Sequence, residues 1–168
     1  MYQSASLAHW FLNNQSKTFI PAQVDIDLTN ICNQDCFYCN SKEHREAVPV
    51  QQNYQVYLKL LDQLASWRQH TPDSMGTLHT ITYPGGGEPT LLKGYEYVLE
   101  HTIDLGFLTS ITTNGYALDK LVKNVDHNKI RRMAWIGIDI DSAQPDRYEL
   151  IRRTQSKRSI FKRVIKNA

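Results

Sequence analysis

The 168-residue sequence has few cysteines and no long apolar run. No stretch approaches the ~20 consecutive apolar residues that a membrane-spanning helix needs, so we do not expect a membrane protein. The opening letters, M-Y-Q-S-A-S-L-A-H-W-F-L, lack the basic start and the long apolar segment of a signal peptide. We therefore expect a cytoplasmic protein, in which cysteines stay reduced and disulfides are rare.

The composition is that of an ordinary globular domain, with 41% hydrophobic and 21% charged residues. The net charge is only +2, but it is unevenly distributed along the chain. From Arg147 onward there are eight Lys or Arg residues and one acidic residue, Glu149. Such a segment either contacts an anionic partner or forms a solvated helix face, and we favour the second interpretation. Nucleic acid is therefore not an expected partner.

The three cysteines of the chain, Cys32, Cys36 and Cys39, lie within eight consecutive residues. An odd and tightly clustered set of this kind indicates a metal site rather than a disulfide framework. Thiolates prefer zinc or iron–sulfur clusters. Zinc would need a fourth ligand, for which His44 is a candidate. A four-iron cubane would leave one iron without a protein ligand, open to a small molecule.

The hydrophobic pattern alternates between strand and helix periods along the chain. Strands are predicted over 23–29, 78–83, 107–113 and 133–140. Helices are predicted over 4–13, 53–70, 95–105, 118–125 and 146–153. The repeated β–α order predicts a parallel sheet with outer helices. We expect an α/β fold, a partial (β/α) TIM-type barrel of about four β/α units.

Unusual residues follow each predicted strand at its C-terminal end, where β/α barrels carry their chemistry. The cysteines follow the first strand, and a glycine run with Glu88 follows the second. Asn114 ends the third strand, and Asp139 and Asp141 lie on the fourth. A fold that needed only stability would not require special residues at all four ends.

Several of these motifs resemble those of the radical S-adenosylmethionine (SAM) enzymes. The spacing C-x3-C-x2-C, with Tyr38 before the last cysteine, resembles the signature of that family. Gly86-Gly87-Glu88-Pro89 resembles its G-G-E-P element, and Thr113-Asn114-Gly115 resembles its T-N-G. In the fourth-strand segment Asp141 matches the family's aspartate, whereas Asp139 stands where a serine is common. Arg152 falls near that segment's arginine.

The resemblance implies that Cys32, Cys36 and Cys39 hold a [4Fe–4S] cluster whose open iron chelates SAM. It also implies a set of SAM-binding residues: Tyr38, Gly86, Gly87, Glu88, Asn114, Asp139, Asp141 and Arg152. Reductive cleavage of SAM would then give a 5′-deoxyadenosyl radical that abstracts hydrogen from a peptide or small-molecule substrate. An external low-potential electron donor, of flavodoxin or ferredoxin type, would supply the electron.

The family's barrels usually have six strands, whereas this sequence predicts four. We therefore expect a short or truncated member, with a partner chain as one means of closing the barrel. Two alternatives stay open: an enzyme that activates a glycyl-radical partner, and a non-catalytic domain that only holds a cluster. We divide the chain into an N-terminal helical extension (1–20), a radical SAM core (21–155) and a basic C-terminal tail (156–168).

Overall fold

The computed structural model describes residues 21–70, 77–153 and 159–168. Four parallel strands form one sheet in the order β1-β2-β3-β4. Their bounds are β1 Gln23–Asp25, β2 Thr80–Tyr83, β3 Leu108–Thr113 and β4 Trp135–Ile138. Among the described residues β1 and β4 remain edge strands, so the sheet does not close. The predicted α/β partial barrel is confirmed.

Seven α-helices and one 3₁₀ helix accompany the sheet in the described ranges. They are α1 Lys42–Ala47, α2 Tyr54–His70, α3 Tyr95–Asp104, α4 Leu118–Asn124, α5 His127–Ile130, α6 Pro145–Arg152, α7 Ile160–Asn167 and the 3₁₀ helix Pro89–Leu91. Nowhere in the described part of the chain is a helix long and apolar enough to cross a membrane.

The hydrophobic core lies between the sheet and its outer helices. Its fully buried members include Leu61 of α2, Leu99 of α3 and Ile111 of β3. The β–α rhythm of the sequence produces this layer because apolar residues at strand period face apolar residues at helix period. Burial of a Leu or Ile side chain is worth about 1.5–3 kcal/mol, so this layer fixes the strands that support the site.

The predicted elements agree with the structure in type and order but differ at their ends. The first strand is hydrogen-bonded over Gln23–Asp25 rather than 23–29, although the amide of Ile26 still donates to the carbonyl of Thr82 at 2.9 Å. The helices over 53–70, 95–105, 118–125 and 146–153 are confirmed within one residue at each end. The helix predicted over 4–13 lies outside the described residues.

The basic segment 156–168 contains a helix whose bounds the sequence analysis did not predict. Helix α7 begins at Ile160 after Ser159, whose hydroxyl accepts a hydrogen bond from the amide of Lys162 at 3.4 Å. Its apolar face buries Ile160 and Val164 against Tyr148 of α6. The described part of this segment is therefore a packed amphipathic helix with a solvated basic face.

Candidate cluster-binding site

A cleft of about 430 Å³ opens at the C-terminal ends of the strands. All three cysteines line it. Seven of the eight other predicted site residues line it as well: Tyr38, Gly86, Gly87, Glu88, Asn114, Asp139 and Arg152. The eighth, Asp141, is hydrogen-bonded to Tyr38 and paired with Arg152. The parallel sheet therefore gathers residues that lie up to 120 positions apart in the sequence around one cleft.

The loop that carries the cysteines, residues 31–40, is held at its start and near its centre by backbone hydrogen bonds. At its start, the carbonyl of Ile31 accepts from the amide of Glu88 at 2.8 Å. Near its centre, the amides of Asp35 and Phe37 donate to carbonyls at the C-terminal end of α6 at 3.1 and 3.2 Å. These bonds also satisfy helix carbonyls that would otherwise lack a partner. The loop is thus anchored to the β2 loop and to α6.

The glycine run after β2 packs directly against the start of this loop. A Cβ atom on Gly87 would lie 2.3 Å from the carbonyl oxygen of Ile31 and 2.5 Å from the carbonyl carbon of Asn30. Both of those atoms are backbone, so neither can rotate away. Gly85 adopts φ +89°, in the left-handed region that favours glycine. Gly87 is therefore glycine because backbone lies on backbone there, and Gly85 because its φ is positive.

The carboxylate of Glu88 is buried and fully used within the protein. Its Oε1 accepts from the hydroxyl of Thr113 at 2.7 Å and from both the amide and the hydroxyl of Thr90, at 3.2 and 2.5 Å. Its Oε2 accepts from the amide of Asn114 at 2.8 Å. A carboxylate has about four acceptor positions, so little capacity remains for a ligand. Glu88 joins the β2 loop to the end of β3.

Asn114 links the end of β3 to the cysteine loop. Its amide group donates to Oδ1 of Asn33 at 2.8 Å, and its own Oδ1 accepts from the amide of Tyr116 at 3.0 Å. The second bond is the Asx turn that an Asn-Gly sequence favours. Asn114 therefore has both functions that the sequence allows: it forms a turn, and it contacts the cysteine loop.

The guanidinium of Arg152 lies directly behind Cys36. Its Nη1 donates to Sγ of Cys36 at 3.7 Å and to Oε1 of Gln34 at 3.2 Å. Its Nη2 donates to the backbone carbonyl of Asp139 at 2.7 Å, and its Nε is paired with the carboxylate of Asp141. Asp141 in turn accepts from the hydroxyl of Tyr38 at 2.9 Å.

The thiols are set in surroundings that disfavour free thiolates. Burial is the main cause that raises the pKa of Cys32, and it also raises the pKa of Cys36 against the opposing charge of Arg152. A bound metal must displace these protons, so binding would release them. The thiols of Cys32 and Cys36 therefore lose their protons less readily than an exposed cysteine does.

The donor set fits a cluster better than a single zinc ion. Within the described ranges, no three His, Cys, Asp or Glu side chains converge on one ion position. His44 lines a neighbouring pocket with Asp27, apart from the cleft of the cysteines. In a cubane each thiolate would bind a different iron, so three cysteines that line one cleft without converging on one point are compatible with it.

Three contributors to the site were missed by sequence reasoning. Asn33, Gln34 and Thr113 each bond a predicted site residue through their side chains. The only sequence signal for Asn33 and Gln34 is their position between Cys32 and Cys36. Thr113 was noted only as part of T-N-G.

The fold and the site together define a β/α core with a cysteine-lined cleft at the ends of its strands. A sequence model of the Radical SAM superfamily matches residues 26–168. Because that match covers most of the chain, the protein belongs to the Radical SAM superfamily, a family of enzymes. Membership implies a [4Fe–4S] cluster and SAM as cofactors.

Curated relatives are similar over most of this chain. The GTP 3′,8-cyclase of Clostridium botulinum (strain Okra / Type B1) is 24% identical over 150 residues, which are 84% of this chain and 42% of the relative. The probable GTP 3′,8-cyclase of Methanocaldococcus jannaschii is 28% identical over 135 residues, 75% of this chain and 38% of the relative. The PqqA peptide cyclase of Granulibacter bethesdensis is 25% identical over 148 residues, which are 84% of this chain and 36% of the relative. The chain thus spans less than half the length of these relatives.

Two solved structures have a similar fold. TYW1 with a lysine-pyruvate adduct bound aligns with a TM-score of 0.59 and 18% identity, covering 87% of this chain and 50% of that one. SuiB of Streptococcus suis, bound to S-adenosylmethionine, aligns with a TM-score of 0.57 and 17% identity. The alignment covers 97% of this chain and 31% of SuiB. At these identities the similarity concerns the fold alone.

Proposed function

We propose that the protein cleaves S-adenosylmethionine reductively at a [4Fe–4S] cluster held by Cys32, Cys36 and Cys39. The observation that carries the proposal is that these three cysteines line one cleft together with the glycine run and the ends of β3 and β4. When bound, the cluster and SAM supply one-electron chemistry that yields a 5′-deoxyadenosyl radical. The protein supplies binding, orientation and exclusion of water.

Each part of the cleft has a separate role in this proposal. The thiolates of Cys32, Cys36 and Cys39 would hold the cluster and would leave one of its irons available for SAM. Gly86 and Gly87 bring the backbone close to the amino acid part of SAM, while Glu88 keeps that backbone in place. Asn114 lies at the cleft beside β3 and suits a contact to the adenosine.

Further SAM contacts are proposed for the β4 side of the cleft. Asp139 lines the cleft, where its carboxylate is suited to accept hydrogen bonds from the ribose hydroxyls. Tyr38 lies in the cysteine loop at the mouth of the same cleft, with its hydroxyl already given to Asp141.

The proposal also includes a class of substrate and an electron donor. The curated relatives are named for two different substrates, GTP and the PqqA peptide. We propose hydrogen abstraction from a peptide or small molecule, with the electron supplied by an external donor of flavodoxin or ferredoxin type. The open edge of β4 leaves room for a partner chain beside the sheet.

The test is anaerobic reconstitution with iron and sulfide, followed by dithionite, SAM and chromatography for 5′-deoxyadenosine. We expect the wild type to form 5′-deoxyadenosine and Cys36→Ala to form none, with circular dichroism showing that the variant is folded. A cluster without SAM cleavage would favour a non-catalytic domain. Zinc in place of iron would contradict the proposal. A glycyl-radical activating enzyme would in addition oxidise a glycine of a partner protein.

A further inference from the structure

Arg152 is the most deeply buried basic residue that the structure describes, with 4% of its surface exposed. Its guanidinium has five N–H groups. Three of them donate hydrogen bonds within the protein, to the thiol of Cys36, the side chain of Gln34 and the carbonyl of Asp139, and Nε is ion-paired with the carboxylate of Asp141. One N–H group of Nη2 remains.

The number of N–H groups that remain free distinguishes two roles for Arg152, binding of the SAM carboxylate and support of the cysteine loop. Recognition of the SAM carboxylate by an arginine is strongest when two parallel N–H groups donate to it. With one N–H group left, Arg152 cannot form that pair without breaking a bond that it makes inside the protein. The sequence expectation that Arg152 binds SAM therefore has little support in its geometry.

The same bonds close a ring between the cysteine loop and the β4–α6 segment. The hydroxyl of Tyr38 donates to Asp141, Asp141 is paired with Arg152, and Arg152 donates to Cys36, two residues before Tyr38. The backbone adds two further links, because the carbonyls of Ile151 and Arg152 accept from loop amides. The loop is thereby fixed at its buried half, beside Cys36.

We propose that Arg152, oriented by Asp141, is a positioning residue that fixes the Cys36 half of the cysteine loop and tunes the Cys36 ligand by an N–H···S hydrogen bond. Hydrogen bonds to cluster sulfurs and nearby positive charge both raise the reduction potential of an iron–sulfur cluster. Partners that orient metal ligands typically affect metal affinity by 10–100-fold when they are removed. This inference rests on the proposed cluster at Cys32, Cys36 and Cys39.

The experiment compares Arg152→Gln with Arg153→Gln, which makes the same change of charge one residue along. Arg153 is exposed, makes no side-chain hydrogen bond to a cysteine among the described residues, and lies over the ring of Phe37 at 5.8 Å. Each reconstituted protein is measured for iron per chain, for midpoint potential by redox titration followed by electron paramagnetic resonance, and for SAM affinity by equilibrium dialysis.

We expect Arg152→Gln to lose iron on the order of 10–100-fold faster on dilution into chelator and to shift the potential to more negative values. Arg153→Gln should match the wild type in both. Arg152→Lys, which keeps the charge but not the planar fork, should restore the potential in part. Tyr38→Phe, a change at a half-exposed residue that tests the ring without risk to the core, should weaken iron retention.

Two results would overturn the inference. One is an Arg152→Gln protein with wild-type iron retention and potential but weakened SAM affinity, because that pattern belongs to a carboxylate-binding arginine. The other is an equal effect of Arg152→Gln and Arg153→Gln, which would reduce the effect to net charge. If the wild type itself holds no cluster, the proposed function fails and this inference fails with it.

Discussion

Gly87 offers a sharp test of how the cysteine loop is supported. A Cβ atom at this position would meet the carbonyl oxygen of Ile31 at 2.3 Å, its amide nitrogen at 2.7 Å and the carbonyl carbon of Asn30 at 2.5 Å. Real Cβ atoms do not approach that closely, so Gly87→Ala must push the two backbone segments apart. The bond from the amide of Glu88 to Ile31 would be lost with them.

The magnitude follows from those two losses. Overpacking of a close contact costs about 1–3 kcal/mol, and a lost backbone hydrogen bond about 0.5–1.5 kcal/mol. We therefore expect Gly87→Ala to lower the free energy of unfolding by about 3 kcal/mol. For a chain of this size each kcal/mol lowers Tm by roughly 2–4 °C. Because Ile31 is next to Cys32, the same shift should impair cluster loading.

Gly106→Ala is the matched control. Gly106 adopts φ +78°, and no atom lies within 4 Å of the position of its added Cβ. We expect Gly106→Ala to lower the free energy of unfolding only by the strain of a left-handed alanine, about 1–2 kcal/mol. Thermal unfolding and iron analysis of both variants are the assay. The reasoning is refuted if Gly87→Ala is no less stable than Gly106→Ala, or if it loads iron as fully as the wild type.

Three further predictions concern the supports of the site. Glu88→Gln replaces a carboxylate oxygen by an amide group whose N–H groups face hydrogen-bond donors. We expect the free energy of unfolding, measured in urea, to fall by roughly 1.5–3 kcal/mol. An unchanged urea midpoint would contradict the buried hydrogen-bond network of Glu88. Leu61→Ala empties a fully buried position between α2 and the sheet and should cost about 2–5 kcal/mol while iron binding of the folded protein stays intact; loss of iron in the folded variant would show that the core and the site are coupled. Burial, together with the negative charge of Glu96, raises the pKa of Tyr95 to about 12. The folded state therefore favours the neutral phenol. This preference stabilises the protein fully below pH ~10, the pKa of an unfolded tyrosine, and the stabilisation is lost as the pH rises toward 12. Phenolate absorbance followed together with circular dichroism should show late ionisation that coincides with unfolding; ionisation of every tyrosine before any unfolding would refute this.

Much of the fold was predictable because each element has a local signal. Apolar residues at helix period place α2 and α3, and Gly106 marks the end of α3 with a positive φ. The short helices α1 and α5 were missed because six and four residues carry too little periodicity. Helix α7 lies in the basic segment for which a solvated helix face was expected, but its bounds and the burial of Ile160 and Val164 were not predicted.

The candidate site was predictable as a set of residues but not as a set of contacts. Spacing alone brought the cysteines together, and strand order brought the glycine run and Asn114 to them. The partner of Arg152 was not predictable, because only the packing of α6 against the loop decides that Asp141 and Cys36 receive its N–H groups. The same holds for Glu88, whose four donors come from two separate segments, the 3₁₀ helix and the end of β3.

The central claim is that three cysteines leave one iron of a [4Fe–4S] cluster open to SAM. The most direct measurement is electron paramagnetic resonance of the reduced, reconstituted protein before and after SAM is added. The account predicts a [4Fe–4S]⁺ signal that changes shape with SAM and is absent from Cys36→Ala. A cluster signal that SAM leaves unchanged, or iron bound equally well without Cys36, would contradict it.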